Sequence, residues 1–168
     1  MKRNVVRTIC FVTLLLSLVA AARPKDKKDK DDASCSNASV ARTWGYSETG
    51  TLFLPTGAIP YASVGSYTLD SDGNLSGARN ASAGGNLQHA TIVGTATVNS
   101  DCTGTLTLSF YGPSGNLLST AGKALVYVDN ARAARAIVTS AALANGTTVP
   151  TVLTTDAKRL VAGSDNQQ

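Results

Sequence analysis

Two stretches of this chain, residues 64–72 and 93–101, have nearly the same pattern. Their sequences are VGSYTLDSD and VGTATVNSD. In each, apolar and polar residues alternate as they do in a half-buried β-strand, and a polar turn follows, at residues 72–74 in the first and 101–104 in the second. Strands that follow each other along a chain usually pair, so two hairpins in tandem predict a meandering antiparallel sheet.

The composition after residue 40 extends this prediction. The region is rich in Thr and Val, which favour strands, and in Gly, which separates them. Strands are predicted at residues 42–54, 63–70, 74–82, 88–99, 103–111, 117–120, 123–129 and 132–140. Such a series of short-linked strands predicts a single all-β domain, an eight-stranded antiparallel up-and-down barrel, with a sandwich as the alternative.

Two segments are open to more than one interpretation. Residues 131–144 begin with an alanine-rich stretch that suits a helix. The β-branched residues at 137–139 and the turn before the segment favour a strand. Residues 148–161 either add a strand or wrap around the barrel.

Alternation also assigns the faces of the strands. Leu106 and Phe110 share one face of a strand whose other face carries Tyr111. Leu125 and Tyr127 share a face of a later strand. A barrel of about eight strands has room either for packed side chains or for one small ligand.

The N-terminal residues have the layout of a secretory signal peptide. A basic start is followed by an apolar run at residues 8–19 and by a small-residue cleavage site at 20–22. The alternative is an uncleaved anchor, but a membrane span needs about 20 apolar residues. We therefore predict a signal peptide at 1–22, a disordered charged tether at 23–40, the barrel at 41–162, a disordered tail at 163–168 and a secreted or periplasmic protein.

The net charge of +4 belongs to the N-terminal region and not to the predicted domain. Residues 33–168 contain seven Lys and Arg side chains and seven Asp and Glu side chains. A nucleic-acid-binding protein normally has a basic patch or stripe. The sequence therefore predicts no nucleic-acid partner, and no membrane span after signal cleavage.

Two cysteines, Cys35 and Cys102, remain after the predicted cleavage, because Cys10 lies in the signal peptide. An even count in an exported protein favours a disulfide. The bond would close a loop of 67 residues, and the chain-entropy estimate for such a loop is about 4 kcal/mol. Two free thiols or a metal pair are the alternatives.

Motifs for catalysis or phosphate binding are absent from the sequence. The single histidine, His89, has no neighbouring partner and suits a polar strand position better than a general base. Asp70, Asp72 and Asn74 have the spacing of calcium ligands, but the distal glutamate is missing and the same residues form hairpin turns. We predict no metal and no cofactor.

Aromatic and charged side chains supply the candidate binding residues. In a barrel, aromatic rings would give a pocket its area and hydroxyl groups would orient a ligand, although core packing explains the rings equally well. Glu48 and the two arginines would be polar partners in such a pocket. The candidates are Trp44, Tyr46, Glu48, Tyr67, Arg79, Tyr111, Tyr127 and Arg135.

Three motifs between residues 42 and 111 resemble those of a family of small secreted bacterial β-proteins, mostly uncharacterised. They are WGYS at 44–47 with Gly50, VGSYT at 64–68 with DGNLSG at 72–77, and GT at 94–95 with DCTGT at 101–105. These proteins resemble calycin-like barrels, including the allene oxide cyclase type and the lipocalins. Gly45 follows Trp44, whereas glycine precedes tryptophan in lipocalins. The resemblance implies a barrel and transfers no catalytic residue.

Two functions from different classes are compatible with these features of the sequence. The first is a secreted, non-enzymatic barrel that binds a small apolar ligand or serves as an envelope or surface module. The second is a cyclase- or isomerase-like enzyme that uses the barrel interior. A closed cavity with Glu48 or an arginine pointing inward beside tyrosines would favour the enzyme, and a fully packed core would favour a structural role. An outer-membrane barrel is disfavoured by the Thr- and Ser-rich faces.

Overall fold

The structure, a computed structural model, describes residues 34–161. The signal peptide predicted at 1–22, the tether as far as residue 33 and the tail predicted at 163–168 lie outside the described residues.

A one-turn helix and eight strands follow one another along the described chain. They are α1 (Asn37–Val40), β1 (Thr43–Leu54), β2 (Gly57–Leu69), β3 (Asn74–Ala83), β4 (Asn86–Val98), β5 (Thr103–Tyr111), β6 (Leu117–Val128), β7 (Ala133–Leu143) and β8 (Thr151–Arg159).

The strands form a closed barrel in which each strand pairs with the next and β8 pairs with β1. Every pair is antiparallel. The predicted up-and-down barrel is therefore confirmed. The two repeated segments lie in β2 and β4, on either side of β3, and the hairpins β2–β3 and β4–β5 are those predicted.

Three differences from the predicted strands change how the barrel is built. Residues 117–120 and 123–129 belong to the single strand β6, which has a β-bulge against β7 between Gly122 and Lys123. Strand β2 begins at Gly57, because a two-residue turn at 55–56 lets it pair along the whole of β1. Residues 151–159, left undecided by the sequence, form the strand that closes the barrel.

One end of the barrel, which we call the packed end, is filled by side chains. It is formed by the start of β1 and the end of β8, together with the turns β2–β3, β4–β5 and β6–β7. Trp44, Leu69 and Ile92 are almost completely buried there. The larger core cluster includes Val40, Trp44, Leu69, Leu75, Ile92, Leu106, Leu108 and Tyr127.

The helix α1 closes this end. Ser36 caps the helix with its side chain, and Val40 at its last position is fully buried. The indole nitrogen of Trp44 donates a hydrogen bond to the carbonyl of Val40 at 3.0 Å. Burial of a valine side chain contributes about 1.5–3 kcal/mol.

The predicted disulfide is present and holds the segment in front of α1. Cys35 is bonded to Cys102 in the β4–β5 turn. Residues 34–40 are thus part of the folded domain, although the charged residues before them led to their prediction as tether. The reason is that Cys35 and Val40 add apolar area and a covalent bond to a segment that otherwise has small polar side chains.

No helix in residues 34–161 has the length and apolar character needed to cross a membrane.

Candidate functional site

The opposite end of the barrel, which we call the open end, contains a cavity of about 330 Å³. This end is formed by the turns β1–β2, β3–β4, β5–β6 and β7–β8. The walls of the cavity are largely apolar, and Glu48, Tyr61 and Arg79 also line it. Apolar wall residues include Leu52, Ile59, Phe110, Leu118, Val138 and Leu153.

Buried polar side chains form a layer across the barrel between the cavity and the packed end. This polar layer consists of Glu48, Ser63, Arg79, Lys123 and Thr155. Lone polar groups are rarely left inside a protein, because removing them from water costs free energy unless they are paired. The hydrogen bonds of these five side chains therefore determine which of them are available to a ligand.

Glu48, Lys123 and Thr155 are bonded to one another. The Lys123 ammonium donates to Glu48 Oε2 and, at 2.9 Å, to Thr155 Oγ1. The Thr155 hydroxyl donates to the same Glu48 oxygen at 2.7 Å. Glu48 and Thr155 face each other across the β1–β8 pairing that closes the barrel, and Lys123 reaches them from β6 beside its bulge.

The ion pair is enclosed. Glu48 is 3% exposed and Lys123 is 5% exposed. Burial lowers the pKa of the Lys123 ammonium below its ordinary value, and the adjacent Glu48 carboxylate opposes that shift. Both donors, Lys123 and Thr155, bond the same carboxylate oxygen, Glu48 Oε2.

Arg79 is held differently from Lys123, since it has no carboxylate partner among the described residues. The side chain is 7% exposed. One terminal nitrogen, Nη1, donates to the Tyr61 hydroxyl at 2.9 Å, and the guanidinium stacks on Phe110 with 3.5 Å between Cζ and the ring centroid. Arg79 Nε is buried and has no hydrogen-bond partner in the described part of the chain.

Tyrosines adjoin the polar layer on both sides. Burial raises the pKa of Tyr46 and of Tyr61, and the charge of Arg79 opposes both shifts. Both phenols therefore stay protonated at neutral pH and are able to donate a hydrogen bond. Gly65, the register partner of Tyr46, leaves room for its ring, since a Cβ there would lie 3.0 Å from Tyr46 Cε1.

Ser63 adds a second buried hydroxyl to the layer. Its Oγ lies within reach of the Tyr46 and Tyr61 hydroxyls. None of the described residues completes a hydrogen bond of good geometry with it. The layer therefore contains two buried groups, Arg79 Nε and Ser63 Oγ, with unused hydrogen-bonding capacity.

The predicted candidate residues divide into three groups. Glu48 and Arg79 line the cavity, and Tyr46 adjoins the layer through its contact with Lys123, whose Nζ is 5.5 Å from the ring centroid. The second group, Trp44, Tyr67 and Tyr127, packs together in the packed end, with centroids 5.6 Å apart for Trp44 and Tyr127 and 6.5 Å apart for Trp44 and Tyr67.

The third group, Tyr111 and Arg135, lies on the outer surface of the barrel. Arg135 pairs there with Asp156 at 3.6 Å, and both side chains are about three-quarters exposed, at 74% and 75%. Tyr111 lines a groove on the outside of β3, β4 and β5. Strand alternation explains both positions, because Ala134 and Phe110, the preceding residues, point inward.

Four residues of the site are not among the candidates predicted from the sequence: Tyr61, Ser63, Lys123 and Thr155. A signal for Lys123 is present, since it is two and four residues before Leu125 and Tyr127 and therefore shares their inward face. The predicted strand at 123–129 contains all three residues, so alternation alone assigns Lys123 to the inward face. Thr155 lies in β8, whose existence was undecided.

A smaller cavity of about 30 Å³ lies on the packed side of the layer, lined by Tyr46, Tyr67, Lys123 and Thr155 among others. It has room for about one water molecule. This smaller cavity therefore has no room for an organic ligand. No cluster of three or more His, Cys, Asp or Glu side chains within residues 34–161 is placed to hold a metal ion.

Comparisons with known proteins leave the family open. No protein family matches this chain, and no curated protein sequence matches it. Among solved structures, the chain is similar to the M. tuberculosis protein Rv2717c, with 12% sequence identity and a TM-score of 0.31 over 74% of this chain and 94% of that protein. A likeness at this TM-score supports no inference about this chain.

Proposed function

We propose that this protein binds a small, mainly apolar molecule in the cavity at the open end of its barrel. The observation that carries the proposal is the 330 Å³ cavity with apolar walls and a polar floor. Ligand sites in proteins are concave and mostly apolar, with a few polar groups that orient the ligand, and a volume of about 300 Å³ is at the lower end of their range.

The distribution of packing supports binding over a purely structural role. A barrel that only needed stability would gain by filling both ends, since unfilled apolar volume loses packing energy. Here one end has a dense core with Trp44 at its centre, whereas Leu52 and Val138 at the other end are only partly buried. The open end therefore retains the apolar surface that a ligand would cover.

The proposal is tested by titrating the purified protein with the uncharged apolar fluorophore N-phenylnaphthylamine. We expect its fluorescence to increase on binding. Ala121 lines the cavity, so Ala121→Phe should fill part of it and weaken binding by about tenfold or more. Binding that is absent in the wild-type protein would overturn the proposal.

Ala124 provides the matched control, since it lies in the same strand and lines a groove on the outside of the barrel. Ala124→Phe adds the same side chain without entering the cavity and should bind the fluorophore as the wild type does. Equal affinities of the two variants would show that the fluorophore binds elsewhere. Circular dichroism of both variants checks that they are folded.

A second candidate function, a cyclase or isomerase, is favoured by one observation: Glu48 and Arg79 both point inward beside tyrosines. Acid–base catalysis needs a group with a free lone pair near the substrate. Glu48 has a free oxygen, Oε1, but a proton transfer to its carboxylate would break the buried ion pair with Lys123, so binding is the better-supported function. Conversion of a bound ligand that is abolished in a Glu48→Gln variant shown to be folded by circular dichroism would support the enzyme instead.

Export from the cytoplasm is part of the same proposal. The Cys35–Cys102 disulfide supports it, because structural disulfides persist in oxidising compartments. The apolar run and small-residue site at 8–22 support it independently. N-terminal sequencing of the protein recovered from the medium or periplasm should find a chain that begins near residue 23.

A further inference from the structure

We propose that the ligand of the open-end cavity carries a carboxylate, which Arg79 binds. This inference rests on the proposed binding function and adds the chemical class of the ligand, an amphipathic monocarboxylic acid. It starts from the charges of the polar layer. Of the three charged side chains there, Glu48 and Lys123 neutralise each other, and Arg79 remains without an opposite charge in the described chain.

An uncompensated buried charge is costly. An arginine cannot relieve the cost by losing its proton, because a guanidinium stays protonated throughout the pH range in which proteins are folded. The stacking of Arg79 on Phe110 and its bond to Tyr61 lower the cost without supplying a negative charge. An anion that enters the cavity would therefore be favoured over a neutral molecule of equal size.

The geometry of the guanidinium specifies the anion further. Tyr61 accepts from Nη1, and it is the one described side chain that accepts a hydrogen bond from this group. The opposite edge, made by Nε and Nη2, presents two parallel N–H donors. A carboxylate accepts from such an edge through both oxygens, in the bidentate pairing that arginine forms most strongly. Arg79 Nε is the buried atom that this pairing would satisfy.

The remainder of the ligand is determined by the walls. Leu52, Leu118, Val138 and Leu153 extend from the polar layer towards the open end. A carboxylate at Arg79 would direct its hydrocarbon part along these side chains. The walls offer no second cation, since Lys123 is turned to Glu48 and Thr155. The ligand that complements this cavity therefore has one acidic group and an apolar tail.

The test compares three probes with the same ten-carbon chain: decanoate, decanol and decylammonium. Each probe is titrated into the complex with N-phenylnaphthylamine, at concentrations below those at which the probe forms micelles, and the displacement of the fluorophore is measured. For the wild-type protein we expect decanoate to bind about tenfold or more tightly than decanol, and decylammonium to bind most weakly. Arg79→Met should remove the preference for decanoate and change the affinity for decanol less than about threefold.

The controls separate the two proposals. Arg135→Met removes the same charge from the outer surface and should keep the preference. Displacement by decanol with no preference for decanoate would overturn the carboxylate inference and leave the binding function intact. Absence of displacement by all three probes from a protein that binds the fluorophore would overturn the carboxylate inference alone, whereas absence of fluorophore binding would overturn both proposals. The wild-type comparison needs no variant, so the inference stays testable if Arg79→Met does not fold.

Discussion

The buried ion pair of Glu48 and Lys123 fixes the positions of neighbouring strands and adds little net stability. Each ion loses several kcal/mol on leaving water, and their attraction repays this only when the remaining hydrogen-bonding groups are satisfied. Thr155 contributes to that satisfaction by bonding to both partners. The pair therefore joins β1, β6 and β8 at one level of the barrel and sets the floor of the cavity.

Removal of one partner should be strongly destabilising. Glu48→Gln leaves the Lys123 ammonium buried without a negative charge, and we expect it to lower the free energy of unfolding by about 3–5 kcal/mol. The double variant Glu48→Gln with Lys123→Met removes both charges and should recover part of this loss. Urea unfolding followed by circular dichroism measures both effects.

The exposed pair of Arg135 and Asp156 is the control. Asp156→Asn should cost less than about 1 kcal/mol, because water screens the charges of an exposed pair. A similar cost for Asp156→Asn and Glu48→Gln would contradict the special role of burial. So would a double variant that is no more stable than the Glu48→Gln protein.

Site residues could be predicted from the sequence only as far as strand boundaries were known. The inward direction of Leu106, Phe110 and Leu125 follows from alternation and is confirmed. Lys123 obeys the same rule, because the predicted strand at 123–129 contains it together with Leu125 and Tyr127. Its pairing with Glu48 could not be predicted, because the two residues are 75 positions apart and meet only when the barrel closes.

At the level of elements, the repeated segments predicted β2–β3 and β4–β5 because each ends in a turn of recognisable chemistry. Asp70 Oδ1 accepts hydrogen bonds from the backbone nitrogens of Asp72 and Asn74, at 3.0 and 2.8 Å. The closing strand β8 was harder to predict. It is preceded by a seven-residue connection in which a tight turn at residues 143–146 leads to an isolated bridge, Ala142 to Thr148, and not directly into the strand.

The helix α1 is too short to be stable by itself, because helix nucleation is costly. Its stability depends on the Cys35–Cys102 bond and on the burial of Val40 against Trp44. Arg159 of β8 also donates to the carbonyl of Ser39. The element that closes the packed end is therefore held by one covalent bond and a few contacts at its own end of the barrel.

Loss of the disulfide should destabilise the protein and loosen α1. Replacement of both cysteines by serine should lower the free energy of unfolding by about 4 kcal/mol, the chain-entropy estimate for a 67-residue loop. Trp44 is the only tryptophan of the chain, so its emission reports on this end. We expect a red shift in the variant and in the reduced wild-type protein. Unchanged emission and stability would contradict the role of the bond.

The whole molecule is a barrel with two unlike ends. The packed end is closed by α1 and filled by the large core cluster, whereas the open end contains the 330 Å³ cavity. A ligand would therefore enter and leave through the open end alone. The disulfide lies at the far end from the cavity, so the double serine variant should keep its affinity for N-phenylnaphthylamine wherever it remains folded.

Alkaline pH acts on the barrel as a whole, because four of its tyrosines are interior. Burial raises the pKa of Tyr127 to about 12 and raises the pKa of Tyr46, Tyr61 and Tyr67. A tyrosine in the unfolded chain has a pKa of about 10. Above that pH the unfolded chain loses protons that the folded barrel retains, so the free energy of unfolding falls as pH rises.

The stabilising contribution of these tyrosines is thus complete below pH 10 and is lost as pH rises through their folded pKa values. Lys123 acts in the opposite direction, since burial lowers its pKa and higher pH relieves the cost of its charge. One lysine is outweighed by four tyrosines, each of which changes the stability by up to about 1.4 kcal/mol per pH unit.

We therefore expect the urea midpoint to fall steadily above pH 10, and the tyrosinate absorbance of the interior rings to appear together with the loss of β-sheet circular dichroism. Tyr127→Phe removes one buried phenol without changing its ring and should make the fall less steep. Ionisation of all the tyrosines while the sheet signal persists would show that solvent reaches the rings in the folded barrel, and would contradict the burial of Tyr67 and Tyr127 in the packed end.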